Sequence, residues 1–152
     1  MDVEQVELPE ITLAAVRQTV PMNELTGFYD QAYGRVAQAL AAAGVAPTGP
    51  AFGWYAGMPT DTADVAAGFA VPGGSGPFED GVETIVIPAS AAVVGTYTGP
   101  YDGLPDAWAE LGTWAGEHAA DGRGDFWEEY VTDPSPDGDP AANVTRLVLP
   151  LR

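Results

Sequence analysis

Residues 126–132 read FWEEYVT, and here the chain concentrates side chains able to do chemistry. Along an extended strand successive side chains alternate, so Trp127, Glu129 and Val131 share one face and Glu128, Tyr130 and Thr132 the other. A carboxylate and a phenol two positions apart can hold an organic cation between rings, or pass a proton to and from a reacting group. Taken alone, the acidic pair reads as a solvated sheet edge. An earlier stretch, AFGWYA at 51–56, puts Gly53, Tyr55 and Gly57 on one face and Trp54 on the other. Only one of Trp54 and Tyr55 can face a common space, and Tyr55 is favoured. The two glycines beside it leave room for a flat ligand above the sheet.

Other reactive arrangements are thin. His118 is the sole histidine, so a Ser-His-Asp triad or a haem ligand would rest on it alone. It lies near the end of a predicted helix, where histidine commonly caps carbonyls or faces solvent. Asp133, Asp137 and Asp139 flank a Pro/Gly loop and imitate a calcium loop, but no glutamate closes the pattern, and turn chemistry explains them better. The PGGSG run at 72–76 lacks the Lys-Ser/Thr pair and the helix start of a phosphate cradle. The absence of cysteine removes thiolate nucleophiles, disulfides and Cys-based zinc sites. No metal and no cofactor are expected.

The elements that must position Glu128 and Tyr130 recur. Residues 3–20 read as strand, with a bend at Pro9, which cannot donate to a ladder. Leu25, Phe28, Tyr29, Ala32, Tyr33, Val36, Leu40 and Ala43 then fall on one helical stripe, with Asn23 as N-cap and Gly44 as stop. Strands follow at 51–56 and 65–71. After the linker the pattern restarts. VETIVIPA at 82–89 aligns with VEQVELPE at 3–10, and Val3/Val82, Glu4/Glu83, Pro9/Pro88, Pro21/Pro100 and Leu25/Leu104 are identical pairs at one offset. A strand at 91–98, a helix from about Leu104 to Ala120, and strands at 126–132 and 143–149 complete the second copy. Pro105 sits in the first turn of that helix, where a missing N–H costs nothing. Its stripe is Leu104, Trp108, Leu111, Trp114 or Ala115, and His118. Trp127 is read as core beneath the helix. Tyr55 and Tyr130 take equivalent places in the two copies.

The expected fold is therefore α+β: two pseudo-symmetric β-α-β-β repeats forming an antiparallel saddle, with helices on one side and a cleft at the seam. Repeat one covers 3–72, repeat two 82–151, and a Gly/Pro linker 73–81, within one domain of 152 residues. Each helix can cover only one sheet face, so the halves must supply each other's missing cover.

Net charge limits the partners. The chain carries 22 acids against five basic residues, all arginine (Arg17, Arg35, Arg123, Arg146 and Arg152), for a formal charge of −17. Direct nucleic-acid binding and anionic membranes are disfavoured, because both present negative charge. A cationic ligand or a basic protein surface would be attracted. The same composition also suits an acid-rich protein adapted only for solubility. The N-terminus lacks the apolar core of a signal peptide, and no apolar run approaches the ~18 to 20 residues of a membrane span, so a cytoplasmic location is expected.

Three blocks carry a family resemblance: VELPEITLAAVR at 6–17, YTGPYDGLPDAWAELGTW at 97–114, and WEEYVTDP at 127–134 followed by NVTRLVLPL at 143–151. Together they resemble the GyrI-like superfamily, which includes effector-binding domains of bacterial multidrug-sensing transcription activators. The resemblance spans nearly the whole chain. It implies a duplicated β-α-β-β fold with a central cleft for hydrophobic, often cationic, aromatic compounds. It also implies a buried glutamate in a Glu-x-Tyr pattern, here Glu128 with Tyr130. Tyr55, Tyr130, Tyr97, Trp54, Trp108 and Phe69 are the candidate walls, although Trp108 and Phe69 serve equally as core. Many relatives carry an N-terminal DNA-binding domain, whereas this sequence opens on the first strand, so a stand-alone binder is expected.

Three functions follow from the resemblance. The first is sensing or sequestration of bulky aromatic compounds, cationic ones included. The second is hydrolysis of strained cyclopropane-bearing toxins, as some GyrI-like proteins perform, with Glu128 and Tyr130 as the catalytic pair. The third is inhibition of DNA gyrase through an acidic, DNA-like surface.

Overall fold

The computed structural model describes residues 1–79, 81–132 and 139–152. Among these, eight strands form one antiparallel sheet: β1 (Asp2–Leu8), β2 (Ile11–Pro21), β3 (Ala51–Tyr55), β4 (Thr62–Val71), β5 (Glu83–Ile87), β6 (Ser90–Thr98), β7 (Phe126–Tyr130) and β8 (Val144–Pro150). Helix α1 (Leu25–Ala43) links β2 to β3, and α2 (Leu104–Glu117) links β6 to β7. The class is α+β, as expected. Of the three aspartates read as a loop, Asp133 and Asp137 lie outside the described residues.

The strand order is β1-β6-β8-β7-β3-β4-β2-β5. If β5 to β8 are matched to β1 to β4, the order becomes its own reverse. An approximate twofold therefore passes between β3 and β7, which form the seam. The bend expected at Pro9 has a larger consequence than a kink. Proline has no N–H to continue a ladder, and here the chain changes partners: β1 pairs with β6 of the second half, while β2 pairs with β4 and β5. The halves thus exchange their first strands.

Helix α1 buries Phe28, Ala32, Val36, Ala39 and Leu40 against Val16, Val65 and Ala67 of β2 and β4. It stops at Gly44, whose left-handed φ of 70° lets its N–H reach back to the carbonyls of Leu40 and Ala41. Asn23 is not the N-cap. It lies within a 3-10 turn, Met22–Glu24, that runs into the helix with no side-chain cap. Helix α2 likewise follows a 3-10 turn (Tyr101–Gly103), places Pro105 in its first turn, and buries Ala107, Leu111 and Ala115, the first two in one cluster with Val93 and Leu147. At its end the His118 ring stacks on Trp114 and its Nδ1 meets the Trp114 carbonyl at 2.8 Å.

Both helices lie on one sheet face, one over each half. The other face buries a cluster to which all eight strands contribute and neither helix does, including Leu13, Phe52, Ala66, Ala92, Trp127 and Val148. On this face side chains from the strands cover one another without a helix. Trp127, 1 % exposed, stacks there on Phe52 at 5.3 Å. It is core, but on the side away from the helices, which corrects the expectation that it lies beneath one.

Candidate functional site

The seam sets the site. In the β3–β7 pairing Gly53 faces Glu128, Ala51 faces Tyr130 and Tyr55 faces Phe126. Alternation sends all six toward the helix side, and α1 and α2 stand on either side of the seam. Between them opens a cleft of two adjoining lobes. The first, about 540 Å³, has Tyr29 and Tyr33 of α1, Phe69 of β4, and Tyr130 in its wall, with Asp30 also lining it. The second, about 650 Å³, has Met22, Met58, Pro59, Phe126, Trp108 and Leu149. Leu25, Tyr55, Tyr101, Leu104 and Glu128 line both.

Glu128 is 7 % exposed. The Tyr130 hydroxyl donates to its Oε1 at 2.8 Å, and Trp108 Nε1 donates to its Oε2 at 3.1 Å. Burial pushes its pKa up, because the charged form loses water; the two donors pull the other way without cancelling that effect. No arginine lines either lobe. Arg146 of β8, opposite Glu129 in the β7–β8 pairing, reaches the Glu129 carboxylate at 3.5 Å on the other face of the sheet. Glu128 is thus a buried acid held by two neutral donors and facing open space.

A tyrosine cage surrounds it. Tyr29 and Tyr55 share a hydrogen bond of 2.5 Å between their hydroxyls, and Tyr33 donates to the Phe52 carbonyl at 3.1 Å. Tyr29 stacks on Tyr33 with centroids 5.8 Å apart, and Tyr130 meets Tyr29 and Tyr101 edge-on at 6.3 and 5.8 Å. Burial, then neighbouring negative charge, raises the phenol pKa of Tyr29, Tyr33 and Tyr130 well above its usual range, and that of Tyr55 to about 12. These hydroxyls stay protonated at neutral pH. Ring faces and neutral O–H groups around one carboxylate suit a bulky, flat or multi-ring organic group, and cations above others.

The sequence-predicted residues divide. Glu128, Tyr130, Tyr55 and Phe69 line the first lobe, and Trp108 lines the second. Trp54 does not join them: alternation turns it to the other face, where its Nε1 donates to Asp125 Oδ2 at 3.0 Å and Arg17 lies 5.1 Å from its ring. Tyr97 does not join them either. It lies on β6, separated from β7 by β8, and its hydroxyl donates to the Pro100 carbonyl at 2.7 Å. The room expected above Gly53 is already filled, since a Cβ there would lie 2.8 Å from the Tyr29 hydroxyl and 3.2 Å from that of Tyr130. Open volume lies farther out, between the helices.

Sequence reasoning missed Tyr29, Tyr33, Tyr101 and Phe126 as cleft residues. Tyr29 and Tyr33, four apart on α1, were legible as a stripe. Their phenol groups were the available signal, because a purely buried stripe has no use for two hydroxyls. Phe126 follows from Glu128 by strand alternation. Among the described residues no His/Cys/Asp/Glu cluster could hold a metal ion, and no helix is long and apolar enough to cross a membrane.

Comparison with known proteins places this geometry. Among solved structures, EcmrR in a DNA complex superimposes with a TM-score of 0.81 at 26% identity, over 99% of this chain and 57% of that one. This chain therefore spans little more than half the length of that relative. SAV2435 bound to tetraphenylphosphonium aligns with a TM-score of 0.67 at 15% identity, over 100% of this chain and 94% of that one. A hydrolase from Listeria innocua aligns with a TM-score of 0.70 at 15% identity, over 99% and 92%. A search of curated proteins found no match. The family model for the GyrI-like small molecule binding domain matches residues 1–152, end to end, and the chain belongs to that family.

Proposed function

We propose that this protein binds bulky aromatic cations in the seam cleft and acts in the cytoplasm as a sensor or sequestering protein for such compounds. The observation that carries the reading is Glu128: a buried carboxylate with no cationic partner in its cleft, ringed by Tyr29, Tyr55, Tyr101 and Tyr130. Ionising it without a partner is costly, and a bound organic cation offsets that cost. Each ring face adds ~0.5 to 2 kcal/mol of cation–π attraction. The tetraphenylphosphonium held by the SAV2435 relative is a ligand of this chemistry.

Calorimetry and thermal melts with tetraphenylphosphonium, against neutral triphenylphosphine oxide, test the reading. At 100 times its dissociation constant a bound cation adds about 2.7 kcal/mol of stability. Glu128→Gln should weaken the cation and leave the neutral compound little changed. Equal affinities for both compounds in the wild type would end this reading.

A second reading, hydrolysis, is favoured by the Tyr130–Glu128 contact of 2.8 Å and the raised Glu128 pKa, which suit a general acid with an orienting hydroxyl. Product accumulating beyond one equivalent of protein, and absent in Glu128→Gln, would establish it. Gyrase inhibition draws on net charge alone, and nothing in the cleft adds to it.

A further inference from the structure

The two lobes meet at Glu128 but differ in their walls. The first is faced by phenol and phenyl rings: Tyr29, Tyr33, Phe69 and Tyr130. The second has two rings of its own, Trp108 and Phe126, and adds the flexible side chains Met22, Met58 and Leu149 and the edges of Pro59 and Pro105; among the described residues its one charged member is the shared Glu128. Rings suit rings. Unbranched, polarisable methionine adapts to irregular apolar chains. Each lobe alone is large enough for a drug-sized group, and together they exceed what one compact ring system fills.

We propose that the cleft is bipartite and takes cationic amphiphiles, the charged centre beside Glu128, an aryl group in the tyrosine lobe and an alkyl tail in the methionine lobe. This deepens the binding reading above and rests on it. A short link from the charge to the tail suffices, because Glu128, Leu104 and Tyr101 belong to both lobes. Met58, 83 % exposed, stands at the rim of the tail lobe, where a methionine can fold down over a chain.

Gly112 offers a clean way to close one lobe. It lines only the methionine lobe, and a Cβ built on it meets nothing within 4 Å. It sits inside α2, where replacing glycine favours the helix. Gly112→Phe should therefore fold and obstruct the tail lobe, while the tyrosine lobe, which it does not touch, stays open.

The experiment measures dissociation constants of benzyldimethylalkylammonium salts with tails from ethyl to decyl, below micelle-forming concentrations, beside tetraphenylphosphonium. In the wild type affinity should rise roughly fourfold per added methylene, the transfer free energy of a buried CH₂ expressed as a ratio. Gly112→Phe should abolish most of that rise and keep tetraphenylphosphonium within about twofold. Met58→Ala, at an exposed position that folding does not depend on, should flatten the rise for the longest tails. A flat series in the wild type, or an equal slope in Gly112→Phe, overturns the bipartite site. Failure of the binding reading looks different: there tetraphenylphosphonium and the short-tailed salts do not bind the wild type at all.

Discussion

Glu128 lies directly opposite Gly53 across the β3–β7 seam, and the side chain Gly53 lacks is the space that the Tyr29 and Tyr130 hydroxyls occupy. Ala51–Tyr55 and Phe126–Tyr130 are the middle two strands of the eight-stranded sheet, one from each half, so the approximate twofold brings Glu128 against its own counterpart. One half supplies the acid. The other supplies the vacancy that lets two phenols close around it.

Gly53→Ala should consequently disturb both halves of the cage at once. The new methyl would stand 2.8 Å from Tyr29 Oη and 3.2 Å from Tyr130 Oη, so both must shift. The Tyr29–Tyr55 and Tyr130–Glu128 hydrogen bonds are the contacts at stake. Overpacking of this kind costs about 1 to 3 kcal/mol. Urea melts should show that loss, and tetraphenylphosphonium titrations a weaker complex. Wild-type values for both would mean the phenols move freely.

The raised pKa of Glu128 has a definite sign in pH. Below the ordinary glutamate value of 4.5 the group is protonated whether folded or unfolded, and its contribution is fully present. As pH climbs through the higher folded value, the buried carboxyl ionises at a cost and stability falls. The difference in unfolding free energy between Glu128→Gln and the wild type should therefore grow with pH across that window. Cation affinity should run the opposite way, rising with pH as the carboxylate forms. At neutral pH Glu128→Gln should lose at least about 2 kcal/mol of cation binding. A pH-independent difference between the two proteins would contradict the burial argument.

Tyr130→Phe removes the donor to Glu128 Oε1 and leaves Trp108 as the remaining side-chain donor to that carboxylate. A hydrogen bond to a charged group is worth ~1.5 to 3 kcal/mol. Its loss disfavours the ionised form, so the pH at which cation binding half-develops should move upward. Titrations across pH measure this directly. A downward movement would show that Tyr130 does not stabilise the carboxylate.

Deleting residues 2–8 tests the strand exchange. Without β1 the β6 edge is bare, and the apolar contacts of Val6 and Leu8 with the strand-only cluster vanish. The loss should be roughly 3 kcal/mol or more, and the open edge should promote self-association. Chromatography and melts report both. A monomer of unchanged stability would mean that β1 is an ornament of the sheet.

How much of this was legible beforehand depends on the range of the interaction that decides it. Alternation along FWEEY and the stripe on α1 are local consequences of backbone geometry, so the chain order alone put Glu128 with Tyr130, separated Trp54 from Tyr55, and placed Gly44 at a helix end. The matching prolines at 9 and 88 marked both strand breaks. No local rule says which partner a freed strand takes, so the exchange of β1 and β5 appears only in the assembled sheet. The same holds for which face the helices cover. Trp127 is equally apolar on either side, and only the assembled sheet placed it away from them, against Phe52. Tyr29 and Tyr33 pack like core residues along α1, yet the gap between α1 and α2 makes them cleft walls, because a cavity belongs to the space between elements and is written in none of them.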